Sequence, residues 1–97
     1  MGTLLYSASQ LPVPFADREL AHLKLVMVAK LRRNEPFMFS WDKPEGGRVS
    51  VWIASQIPLI FEFDDSPPVE INRAWIDDMS QTASSLNGLV LTVEPTA

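Results

Sequence analysis

Residues 17–34, DRELAHLKLVMVAKLRRN, read as one helix that is apolar on two sides. Asp17 can cap it, Arg18 and Glu19 open it, and Pro36 disfavours helical geometry at Glu35, so the helix should stop near Asn34. With a turn of about 100° per residue, Leu20, Leu23, Met27 and Leu31 form one stripe, with Val26 beside it, that would cover a sheet. Ala21, Leu25, Val28 and Ala29 form a second arc. A helix with two apolar sides must bury both, inside one domain or against another chain.

Working outward from this helix gives the rest of the fold. On its N-terminal side, Thr3–Ser7 and Leu11–Phe15 have the character of two short strands joined at Ala8-Ser9-Gln10. Pro12 and Pro14 sit two apart and so remove donors from the same lateral side, which marks the second strand as an edge. On the C-terminal side, Phe37, Phe39 and Trp41 alternate with Met38 and Ser40, and the DKPEGG segment (Asp42–Gly47) has hairpin composition. Arg48–Ala54 then alternates with Val49, Val51 and Ile53 on one face, and Leu59, Phe61 and Phe63 give a third set. The expectation is a three-stranded meander. After Asp64-Asp65 and Pro67-Pro68, Trp75, Met79, Ala83 and Leu86 share one stripe of a second helix over Ile71–Leu86. Asn87-Gly88 stops it, and Leu89–Val93 closes the chain as a strand.

The order β-β-α-β-β-β-α-β predicts an α+β fold, a mainly antiparallel sheet of about six strands with two packed helices, because successive strands are close enough to pair. Residues 1–97 are expected to form a single domain. The apolar share of 46% is that of an ordinary globular chain able to build a packed core. If the large aromatics face the helices, Met38, Trp52 and Ile60 share the opposite face, diluted by Ser40, Ser50 and Glu62. An outward tryptophan among aliphatics is costly to leave wet.

The chain has no cysteine, which excludes disulfides and thiolate metal sites and fits a reducing cytoplasm. The N-terminal segment MGTLLYSASQ has no basic leader, and Lys24 and Lys30 interrupt the most apolar stretch, so no membrane segment is expected. The net charge of −4 is unevenly spread: residues 17–48 carry seven Lys and Arg against five acids, residues 49–97 only Arg73 against seven. Such polarity can orient association with another copy or a partner.

Candidate chemistry is sparse. His22 is the sole histidine, with no convergent partner for a base or metal role, and reads as a boundary residue of the helix. Asp64-Asp65 and Asp77-Asp78 lack the spacing of a cation-binding loop. Lys30, Arg32 and Arg33 end the first helix, where positive charge offsets the helix dipole. With Lys24, Lys43, Arg48 and Trp52 they would also serve as phosphate and stacking contacts for nucleic acid.

Leu4–Tyr6 after Met1-Gly2, then DRELAHLKLVMVAKLRRNEPF through Ser40-Trp41, and Ile71-Asn72-Arg73-Ala74-Trp75 carry a resemblance over nearly the whole chain. It is to a family of small actinobacterial proteins of about this length, with an uncharacterised domain and often labelled ATP-dependent DNA ligase. Ser7 and Ala16 depart from relatives that have Gly and Asp there. Ligase chemistry attaches AMP to the lysine of a K-x-D-G motif within a larger pocket. Lys43-Pro44-Glu45-Gly46 substitutes Glu for Asp, falls in the hairpin turn and lacks the accompanying motifs, so autonomous ligase activity is not expected.

The reading is therefore a non-catalytic, cytoplasmic protein-interaction module that forms a homodimer or meets a protein partner, with Leu25, Val28, Met38, Trp52 and Ile60 as interface residues. The alternative is a nucleic-acid-binding accessory domain, in a DNA repair or ligation context, using Lys30, Arg32 and Arg33. No catalytic, cofactor or metal-binding residue is assigned.

Overall fold

The computed structural model describes residues 2–6, 11–43, 45–64, 70–85 and 88–95. Its elements are β1 (Gly2–Tyr6), β2 (Leu11–Phe15), α1 (Asp17–Arg32), β3 (Phe37–Asp42), β4 (Arg48–Ile53), β5 (Leu59–Glu62), α2 (Arg73–Ala83) and β6 (Leu89–Val90). The α+β class and the element order are those expected. The turn at Ala8-Ser9-Gln10, together with Ser7, Asp65, Pro67, Pro68, Leu86 and Asn87, lies outside the described residues.

The six strands divide into two sheets, ordered β2-β1-β5 and β4-β3-β6. The expected meander does not form, because β5 leaves β4 and pairs antiparallel with β1, Leu4 opposite Phe61. The connection runs through a turn in which the Ile57 N–H donates to the Ala54 carbonyl, and it is long enough to carry the chain to the other sheet. Alternation in Leu59, Phe61 and Phe63 specifies a half-buried strand without naming its neighbour. β2 lies at the edge of its sheet, as Pro12 and Pro14 require.

α1 begins one residue earlier than expected: Ala16, in extended geometry, is the N-cap, and Asp17 is the first helical residue. Ala16 has no side-chain oxygen to offer, so only the return half of a capping box exists, the Ala16 N–H donating to Glu19 at 3.1 Å. Asp17 instead accepts from the Asp64 N–H. Leu20, Leu23, Val26 and Met27 are buried, as the first stripe predicts. They join Leu4, Val13 and Phe15 from one sheet, Phe37, Phe39, Ile53 and Leu89 from the other, and Trp75, Met79 and Ala83 from α2 in one core. The Phe15 and Phe39 rings, 6.0 Å apart, bring β2 and β3 together in it. Each such large side chain contributes about 1.5–3 kcal/mol on burial.

α2 is shorter at both ends than its apolar stripe suggests. Asn72 caps it, accepting from the Ala74 and Trp75 N–H groups, and the helix stops at Ala83 with Ser84 as its C-cap. Gly88 therefore is not a helix stop. Its φ of 76° and its closeness to the Met38 backbone, where a Cβ would collide, let the chain turn and lay β6 parallel to β3. β6 itself spans two residues rather than reaching Val93. Among the described residues no helix is long and apolar enough to cross a membrane.

Candidate interaction surface

The β3-β4 ladder positions the most exposed aromatic side chain of the core sheets. Register pairs Met38 with Trp52, Ser40 with Ser50 and Asp42 with Arg48 on the outer face, while Phe37, Phe39 and Trp41 sit opposite Ile53, Val51 and Val49 on the inner one. Trp52 is 51% exposed and Met38 37%. The Ser40 and Ser50 hydroxyls bond each other at 2.7 Å, and Arg48 donates to Asp42 at 3.0 Å. A row of three cross-strand pairs thus runs from apolar through hydroxyl to charged.

The backbone of β4 has a definite parity. The Lys43 N–H donates to the Gly47 carbonyl at 2.9 Å, in register with the strands, so bonds are exchanged at Trp41/Val49, Phe39/Val51 and Phe37/Ile53. The intervening residues Arg48, Ser50 and Trp52 then turn their N–H and C=O groups away from β3, toward the side of β4 on which no strand pairs. The Tyr6 hydroxyl donates to the Trp52 carbonyl from that side and links the two sheets.

The other interface residues are dispersed. Ile60, 40% exposed, lies on the second sheet opposite Leu5, so it does not share the face of Met38 and Trp52. Leu25 is 44% exposed on α1 and Val28 half-buried, so the second arc of this helix remains at the surface. At the basic end of α1, Lys30 and Arg33 both approach Glu35, at 3.4 and 3.3 Å. Desolvation pushes the Glu35 carboxyl up, but the Arg33 charge and the bonds from Lys30 and Arg33 outweigh it and hold the group below its ordinary value. Arg32 is exposed and, among the described residues, has no ion-pair partner. Lys43 is exposed in the hairpin turn beside Glu45, as the composition of the DKPEGG segment predicts.

His22 is fully buried rather than at a boundary. Its Nδ1 lies 2.7 Å from the Arg18 carbonyl and must donate, while Nε2 accepts from the Asn72 N–H at 2.9 Å, which defines the neutral Nδ1–H tautomer. The ring lies 4.5 Å from that of Trp75, whose Nε1–H donates to the Thr92 carbonyl. Asn72 further donates to Glu94 and to the Pro95 carbonyl, each at 3.0 Å. Arg18 grips Glu94 with Nε at 2.8 Å and also with Nη2, and its Nη1 donates to the Glu70 carbonyl. The hydrogen bond from Arg18, followed by that from Asn72, lowers the Glu94 carboxyl to about 2, and the bond to Glu94 raises Arg18.

This junction borders a cleft of about 430 Å³ between the start of α1 and residues 91–94. Its guanidinium and carboxylate are committed to one another, and with Asn72 they fasten the C-terminal segment to both helices. Sequence reasoning missed it: Arg18 and Glu94 are 76 positions apart, and only Asn72, as a cap before Arg73-Ala74-Trp75, had a readable signal. Among the described residues no three His, Asp or Glu side chains gather as metal ligands.

Comparison with curated proteins and with solved structures gives no match. A family model does match, over residues 1–94, and the chain belongs to the family described as Domain of unknown function (DUF7882).

Proposed function

We propose that this chain is a non-catalytic protein-interaction module of the cytoplasm that associates with a second copy of itself. The observation that carries the reading is the Met38/Trp52 pair, two large apolar side chains placed directly opposite one another on an outer sheet face and left exposed. Apolar groups clustered on a surface in this way mark contact sites, and tryptophan is enriched among the residues that dominate binding. The exposed arc around Leu25 offers a second, separate contact. Sedimentation equilibrium at micromolar concentrations should give a dimer, and Trp52→Glu should weaken it at least about tenfold, or about 1.4 kcal/mol, with the circular dichroism of the fold unchanged. A monomer throughout that range defeats the proposal.

Contact with nucleic acid through Lys30, Arg32 and Arg33 is the second reading, and the exposure of Arg32 and Arg33 supports it. Glu35 sits against two of the three cations and competes with phosphate for them. Retention on DNA or RNA should then fall steeply with salt and vanish when all three charges are reversed. Salt-independent retention, or none, removes this reading.

A further inference from the structure

We propose that two copies of the chain pair antiparallel through β4 about a two-fold axis at Ser50, joining their β4-β3-β6 sheets into one. The inference rests on the self-association proposed above and specifies its geometry. Of the strand edges, β2 contains Pro12 and Pro14, β6 has two residues, and β5 has four, between Pro58 and the charge of Glu62. β4 has six residues, RVSVWI, with no proline and one charge, Arg48, at its first position, so it is the longest of these edges. Natural edges are usually blunted by such residues, and an edge that is not blunted is a template for another strand.

The sequence of β4 is self-complementary at one register. With the axis at Ser50, Val49 of one copy lies opposite Val51 of the other on the inner face, and Arg48 opposite Trp52 on the outer face. The residues whose N–H and C=O point outward, Arg48, Ser50 and Trp52, then fall opposite one another, as an antiparallel ladder needs. Ser50 and its copy exchange both bonds at the axis, and each Trp52 N–H reaches the Arg48 carbonyl of the other copy. The Trp52 carbonyl is already engaged by Tyr6. The outer face gains a row running Met38, Trp52, then Arg48 and Asp42 of the second copy, which places a guanidinium beside an indole. Moving the axis to Val49 sets Trp52 opposite Gly46, and moving it to Val51 sets Arg48 opposite Ala54, so either shift loses that pairing.

Because the chain has no cysteine, Ser50→Cys introduces a single thiol. Directly opposed, hydrogen-bonded residues have Cα atoms about 5.5 Å apart, within disulfide range, so mild oxidation of the folded full chain should convert most of it to a covalent dimer. Ser80→Cys, on the exposed face of α2, should not do so. Ser50→Pro removes an outward donor that β3 does not use, and should raise the dimer dissociation constant about tenfold or more while the monomer stays folded. If the unaltered chain dimerises, and Trp52→Glu weakens it, but Ser50→Cys crosslinks no better than Ser80→Cys, the β4 axis is wrong and the broader self-association reading stands. If the unaltered chain is monomeric, both fall. Should Ser50→Pro fail to fold, the Ser50→Cys comparison decides alone.

Discussion

β2 and β4 are both edge strands, and in both the residues facing away from the neighbouring strand alternate with those bonded to it. In β2 the outward positions are Pro12 and Pro14, which have no N–H to present. In β4 they are Arg48, Ser50 and Trp52, which keep theirs. One sheet thus ends in an edge lacking half its bonding groups, and the other in an edge that retains them next to an exposed tryptophan. The difference lies in backbone chemistry as much as in side-chain polarity, and the pairing proposed above rests on it.

The largest effect should come from moving proline by one position in β4. Val51→Pro deletes an N–H bonded to β3 and leaves the Phe39 carbonyl unpaired, and should cost about 3 kcal/mol in urea unfolding, whereas Ser50→Pro, which deletes no N–H bonded to β3 and gives up only the hydroxyl bond to Ser40, should cost about 1 kcal/mol. Equal losses at the two positions would show that the assigned ladder parity is wrong. The reciprocal change, Pro12→Thr with Pro14→Thr, returns donors to β2. In the Ser50→Pro background it should restore association measurable by sedimentation; an unaltered monomer would mean that donors alone do not make an edge adhesive.

A smaller effect is expected where β2 passes into α1. Ala16 occupies an N-cap position with no oxygen to offer, so Ala16→Asp should stabilise the fold by about 1 kcal/mol, read as a rise in thermal midpoint. The last effect is on the shape of a curve and concerns neither edge. Glu94 is depressed to about 2 from an ordinary 4.5, so its contribution is complete above the ordinary value and is lost as pH falls through about 2. Glu94→Gln should flatten the dependence of stability on pH in that window. An unchanged acid profile would show that the bond to Arg18 adds nothing to the folded state.

Much of this was legible along the chain. The first stripe of α1, the buried alternation of Phe37 and Phe39, the hairpin at residues 42–47 and the edge character of β2 are local patterns, and each was met in the fold. The partner of β5 was not legible, since a period of two fits any half-buried strand position, so Ile60 was placed on the wrong sheet. His22 looked peripheral because its partners, Asn72 and Trp75, lie some fifty residues away on another helix.

The sequence by itself determined which segments are helices and strands, which side of each is apolar, and that β2 cannot accept a further strand through N–H donors. Those properties follow from periodicity and from the covalent structure of proline, and need no knowledge of neighbours. Only the tertiary structure decided that six strands form two sheets, that Arg18, His22, Asn72 and Glu94 converge, and that β4 stands at an edge beside Trp52. Pairing between distant segments is set by how several apolar faces are buried together, and that choice is not written in any one of them.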